Sequence, residues 1–149
     1  MAEHKITLEW KRETESFTYD TYNRNHLLTF EGGARVPASS APAYRGDPAL
    51  VNPEDALVAA LSSCHMLTFL WVASRRGLEV TSYVDEAIGR MTKNERGVPW
   101  VSKVVLHPRV AYAGAHPTQE IEEELHHQAH EACYIANSVK TEITVAPNL

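Results

Sequence analysis

NPEDALVAALSSCHMLTFLWVASRRG, residues 52–77, describes a helix with both ends marked. Asn52 suits the N-cap, Pro53 the first helical position, and Glu54 and Asp55 complement the positive end of the helix dipole. The helix is expected to run to about Arg76, because Arg75 and Arg76 suit its negative end and Gly77 supplies a left-handed C-cap. Between Asp55 and Arg75 there is no Asp, Glu, Lys or Arg, and apolar residues occupy more than one face. Such a helix is expected to be buried nearly all round, at the centre of the fold. Its length just reaches the ~20 residues of a transmembrane span. Ser62, Ser63, His65 and Thr68 interrupt it, however, and no polybasic flank sets an orientation, so a soluble core helix is the expectation.

Upstream, Ile6 to Trp10, Ser16 to Tyr19 and His26 to Phe30 are short β-prone runs that read as a meander. From Gly32 to Val51 the chain carries Gly32, Gly33, Pro37, Pro42, Gly46 and Pro48, which predicts an irregular loop. Downstream, Leu78 to Met91 and Val98 to Tyr112 are rich in Val, Ile, Thr and Tyr, and Asn94 to Gly97 between them suggests one long antiparallel hairpin. A second helix opens at His116-Pro117-Thr118, with Ile121, Leu125, Ala129, Ala132 and Ala136 at helical spacing and Glu120, Glu122, Glu123 and Glu124 turned to water or the positive end. Lys140 to Val145 alternates like a final strand. This order predicts an α+β domain, with helices against a mainly antiparallel sheet.

The chain has 149 residues, 44% hydrophobic and 22% charged, which fits a single globular domain over 1–149. A formal net charge of −5, with 14 scattered Lys and Arg, disfavours a nucleic-acid partner. The first ten residues carry Glu3, Lys5 and Glu9 and lack the apolar core of a secretory signal, so the expected location is cytoplasmic. In that reducing compartment, two cysteines are reactive or buried rather than a permanent staple.

Cys64 shares a stripe of the first helix with Leu57, Leu61, Leu67, Thr68 and Trp71. It reads either as an inert core thiol or, if a cation reaches it, as a thiolate nucleophile. Arg45, at the end of the Gly- and Pro-broken loop, is the first candidate for that cation and Arg35 the reserve. Glu54 could hold Arg45 through a bidentate contact, although favouring the helix N-terminus already explains it. Ten residues of helix separate Glu54 from Cys64 by about 15 Å. Either the arginine bridges them, the helix breaks, or a second subunit contributes. Cys133 lies near the end of the second helix. His126, His130 and Cys133, at i, i+4 and i+7, offer an alternative as ligands of a non-enzymatic metal or small-ligand binding protein. A third reading, a Cys/His hydrolase, would use His127 or His130 as base.

Asn52-Pro53-Glu54-Asp55, followed ten residues after the glutamate by Cys64 in Ala59-Ala60-Leu61-Ser62-Ser63-Cys64, resembles the OsmC/Ohr family of organic hydroperoxide reductases. His130-Glu131-Ala132-Cys133 with Asn137 and Ser138 resembles that family's second cysteine segment, and Arg45 stands where OsmC-type members carry their active-site arginine. The resemblance implies an intertwined homodimer with two central helices enclosed by sheets and active sites at the subunit interface. It implies a cysteine-based peroxidase without a cofactor, in which Cys64 attacks an organic hydroperoxide and condenses with Cys133 to a disulfide that a dithiol reduces. Arg45 and Glu54 would complete the site, with Leu67, Phe69 and Trp71 as apolar neighbours favouring bulky peroxides. One departure stands out: many members have Pro directly after the second cysteine and Ser two residues beyond it, where this chain has Tyr134 and Ala136. The chain therefore resembles the OsmC-like branch more than the best-defined peroxidase branches.

Overall fold

In a computed structural model of the chain, which describes residues 1–147, the first helix (α1) spans Pro53–Arg75 without a break. Its ends are built as the local sequence requires. The Asp55 N–H donates to Asn52 Oδ1 at 2.9 Å, and Asn52 Nδ2 donates back to Asp55 Oδ2 at 2.7 Å. At the other end Gly77 takes φ +71°, while the Leu78 N–H donates to the Ala73 carbonyl and the Gly77 N–H to that of Ser74, each at 3.1 Å. These bonds satisfy carbonyls that the helix itself cannot. Asn52→Ala is expected to lower stability by about 1 kcal/mol, read as a shifted urea midpoint with an unchanged slope.

The chain divides into two compact units, Met1–Ala56 and the residues from Leu57 on. In the first, strands β1 (Ile6–Glu9), β2 (His26–Phe30) and β3 (Arg35–Ala38) form an antiparallel sheet in that order. β3 corrects the expectation of an irregular segment over 32–51. Pro37 is tolerated there because β3 is an edge strand, and its missing N–H costs the ladder little. Ser16 to Tyr19, expected as a strand, is instead a bent loop closed by Thr21, whose hydroxyl bonds to the Ser16 carbonyl.

In the second unit the expected hairpin is present but folded across itself. β4 (Val80–Asp85) pairs with β7 (Pro108–Tyr112), and β5 (Ile88–Lys93) pairs with β6 (Pro99–Leu106) in a separate sheet. One register continues through the break: Asp85 faces Pro108, and Ile88, three residues on, faces Val105, three residues back. The Asp85 carboxylate ties the break by accepting the His107 N–H at 2.7 Å and the Ser62 hydroxyl of α1. β8 (Glu142–Val145) joins β6 in parallel, giving the order β5-β6-β8.

The second helix (α2) covers Gln119–Ala132, capped by Thr118, whose hydroxyl accepts the Ile121 N–H. It ends before Ala136, which lies in a short 3-10 turn over Ala136–Ser138. Phe69, Val72 and Ala73 of α1 pack with Leu125 and Ala129 of α2 to form one core cluster. Leu61 packs with Val104 and Leu106 of β6 in a second.

Burial of α1 is one-sided, which corrects the expectation of a helix covered all round. Leu61, His65, Phe69, Val72 and Ala73 are buried, whereas Leu67 and Trp71 are 60% and 55% exposed. One chain supplies elements enough for one face only. α1 is long and apolar enough to cross a membrane by length and composition. Its buried stripe, packed on α2 and β6, is nevertheless that of a core helix.

Candidate functional site

α1 and the end of α2 bring the two cysteines together. Cys64 is half-buried in the middle of α1, Cys133 is the buried C-cap of α2, and both are free thiols. The chain turns sharply after Cys133 because Asn137 caps the helix: its Nδ2 donates to the carbonyls of Cys133 and Glu131 at 2.9 and 3.1 Å. Ser138 holds the same turn through the Tyr134 carbonyl at 2.7 Å. The residues flanking Cys133 in the sequence thus shape the turn that sets the cysteine against α1.

The two thiols are driven in opposite directions. Burial raises the Cys64 thiol, but the backbone N–H of Ile135, the Cys133 side chain and the backbone N–H of Tyr134 together outweigh it and lower its pKa; the Thr68 hydroxyl beside them donates to the Cys64 carbonyl at 2.9 Å. Burial first, and then its neighbour Cys64, push Cys133 up to about 11, even though the Ala136 N–H points at its sulfur at 3.5 Å. One sulfur therefore favours the thiolate and the other keeps its proton, close enough for each to act on the other. Such a pair can attack an electrophile from one sulfur and close a disulfide with the other.

The backbone donors were not among the residues read from the sequence, since a peptide N–H has no side-chain signature. Tyr134 supplies one of them where a proline would have none. Cys133 already has φ −73° and ψ 114°, the extended conformation a following proline requires. Tyr134→Pro is therefore expected to fold, and to move the pH midpoint of Cys64 alkylation by iodoacetamide upward.

Arg45 belongs to the first unit and has a distinct backbone. It has φ +64°, the one positive value at a non-glycine residue among those described. Gly46 follows it where an added Cβ would lie 1.5 Å from the Ser40 carbonyl oxygen, so only glycine closes this turn. The guanidinium pairs with Asp20 at 2.6 Å and lies 5.7 Å from the Tyr19 ring centroid. Glu54, its expected partner, heads α1 with Oε2 buried and unpaired among the described residues. Arg35 lies in β3 opposite Thr29 and is exposed.

Other expectations are placed elsewhere. Phe69 is fully buried in the core against Tyr83 and His126, while Leu67 and Trp71 point outward. Among the described residues no imidazole is hydrogen-bonded to Cys64, whose side-chain neighbours are Cys133 and Thr68, so the pairing a hydrolase base needs is not seen for His127 or His130. Among the described residues no three His, Cys, Asp or Glu side chains group to hold a metal, so the set His126, His130 and Cys133 does not converge. Cys133 is committed to Cys64, and His126 to His65, whose Nε2 lies 3.1 Å from His126 Nδ1 in the buried core. That histidine pair, 61 positions apart, was not visible in the sequence.

An α+β unit with a thiolate-prone cysteine on its central helix and a buried partner thiol at the end of the next helix defines a class of paired-thiol proteins. Comparison with known proteins specifies it further: residues 46–148 match the model of the OsmC-like protein family, and the chain belongs to that family. A solved OsmC-like protein of unknown function from Vibrio cholerae is 45% identical, with TM-score 0.94 and 99% of both chains covered. YmaD of Bacillus subtilis is 26% identical over 123 residues, covering 79% of this chain and 80% of that protein. A Legionella pneumophila structure described as an organic hydroperoxide resistance protein shares the fold, with TM-score 0.77 over 100% and 98% of the chains, at 14% identity.

Proposed function

We propose that this protein is a thiol-dependent peroxidase that reduces organic hydroperoxides to alcohols. What carries the proposal is the adjacency of two free thiols, of which burial and Cys64 raise Cys133 while neighbouring donors lower Cys64. Membership of a family related in fold to proteins named for organic hydroperoxide resistance supports it. The Cys64 thiolate attacks the terminal peroxide oxygen; an S–O bond forms, the O–O bond breaks, and the alkoxide leaves as the alcohol after taking the proton that Cys133 holds. Cys133, now a thiolate, attacks the sulfenic sulfur, closes the disulfide and expels hydroxide. A cytoplasmic dithiol returns both cysteines to the thiol state.

Arg45 would stabilise the Cys64 thiolate and the leaving alkoxide, with Glu54 orienting it. The unbroken α1 excludes a break as the means of joining Glu54 to Cys64. A homodimer, in which Glu54 and Arg45 of one protomer approach Cys64 of its partner, would join them. The exposed face of α1 carrying Leu67 and Trp71 is suited to a subunit contact of this kind.

Dithiol-dependent consumption of tert-butyl hydroperoxide and hydrogen peroxide tests the reading. Turnover of the organic peroxide, faster than that of hydrogen peroxide, is expected; no turnover of either would remove it.

A further inference from the structure

α1 and α2 are joined in the core by one directional contact, and it lies beside the paired thiols. His65 Nε2 and His126 Nδ1 are 3.1 Å apart, the two rings are nearly parallel at 9°, and the residues are 1% and 3% exposed. One of these nitrogens carries a hydrogen and donates it to the other. Among the described residues this is the only hydrogen bond between the side chains of α1 and those of α2. The core contacts beside it, Phe69, Val72 and Ala73 against Leu125 and Ala129, are apolar. Apolar contacts are non-directional and set the rotation of a helix loosely, whereas an N–H···N bond weakens steeply once it is bent or stretched. Arg76 pairs with Glu124 just past the end of α1, but both side chains there meet water, which screens the pair.

Position along the helices ties this bond to the thiols. His65 directly follows Cys64 in α1. His126 lies in the middle of α2, and Cys133 caps its end seven residues on, two turns and about 10 Å along the axis. A rotation or tilt of α2 about its middle is therefore felt most at Cys133. Disulfide closure tolerates little of it, because the Cβ atoms must come within about 3.5–4.5 Å with the sulfurs correctly turned. A misplacement of about 1 Å can cost a hundredfold in rate between groups that are otherwise well oriented. With both imidazoles buried, water cannot stand in for a lost partner and hold the helices at the same setting.

We propose that His65 and His126 are positioning residues for disulfide closure: their hydrogen bond sets α2 against α1 so that the Cys133 sulfur meets that of Cys64. Neither imidazole touches a reacting atom. The inference rests on the thiol pair and deepens the resolving step of the mechanism proposed above.

The test closes the disulfide without peroxide, so its failure is distinct from failure of the peroxidase reading. Diamide takes up the Cys64 thiolate at its N=N bond; Cys133 then attacks that sulfur and expels the reduced hydrazine, leaving the disulfide. The rate of closure in the reduced full chain is compared with the rate of Cys64 alkylation by iodoacetamide, both read by peptide mapping. His126→Phe keeps a ring against Phe69, which now stacks on the imidazole with centroids 4.4 Å apart, and loses the nitrogen. His126→Asn loses the ring and keeps a polar atom at the δ position. Closure is expected to be about tenfold slower or more in His126→Phe, with alkylation within about twofold of wild type, and within about threefold of wild type in His126→Asn. A role in packing alone predicts the reverse order. Circular dichroism checks that the variants fold; should His126→Phe unfold, His65→Phe and His65→Gln, whose amide nitrogen takes the place of Nε2, are read in the same way. Closure as fast as wild type in the phenylalanine variant would overturn the proposal. So would slower closure in the amide variant than in the phenylalanine one, or alkylation that slows in parallel with closure, since the effect would then fall on the Cys64 thiolate and not on its alignment with Cys133.

Discussion

Cys64→Ser is expected to abolish reduction of tert-butyl hydroperoxide, lowering turnover by about a thousandfold or more, because a serine hydroxyl at neutral pH is no substitute for a thiolate nucleophile. Cys133→Ser should behave differently. Its Cys64 still attacks once, so one equivalent of peroxide per chain is consumed in a burst and the sulfenic acid then persists, open to trapping by dimedone. The contrast between the two variants follows from their positions. Cys64 is half-buried on α1 with its pKa lowered, and Cys133 is buried at the end of α2 with its pKa raised. Equal loss in both variants, with no burst in Cys133→Ser, would show that the thiols do not divide the work in this way.

Acid should unfold the protein through the histidine pair in its core. Burial, followed by the charge of His130, lowers His65 to about 4, with Asp85 acting weakly in the opposite direction. Burial and then His65 lower His126 to about 3. The unfolded chain binds these protons near pH 6.5 and the folded chain only well below it. The stability due to the neutral pair is therefore complete above pH 6.5 and falls as the pH drops toward 4. The loss expected by pH 4 is about 3 kcal/mol or more, a large share of the 5–15 kcal/mol typical of a domain. Urea melts between pH 7.5 and 4.5, in the presence of a chelator, should show it. A His65→Phe/His126→Phe variant, which keeps the aromatic packing and removes the titration, should show a flatter profile; an equally steep one would assign the acid sensitivity to other groups.

What the sequence revealed about this fold is what local chemistry writes into it. Asn52, Pro53 and Gly77 act on their own neighbours, so the ends of α1 could be read to within a residue. The long hairpin was legible from composition and its Asn94–Gly97 turn. Its break was not, because it is tied by the Asp85 carboxylate to His107 and Ser62, more than twenty positions away in each direction. β3 was hidden by Pro37, a residue that only an edge strand accepts. Cys64 and Cys133 stood out in the sequence through the residues around them, and in the structure each lies near enough to shift the other's pKa. The partners they find there are backbone N–H groups of Tyr134 and Ile135, which any residue but proline could have supplied. Arg45 was marked by its place before the Asn-Pro-Glu run, whereas its ion pair with Asp20, 25 positions upstream, had no signal in the spacing.

The most direct test of the paired-thiol mechanism is peptide mapping of the reduced protein after reaction with one equivalent of tert-butyl hydroperoxide, with remaining thiols alkylated. The expected product is a single disulfide joining Cys64 to Cys133, formed within the time the peroxide disappears and reversed by a dithiol. Recovery of both cysteines as alkylated thiols, with the peroxide unconsumed, would contradict the central claim that Cys64 is a peroxide-reactive thiolate.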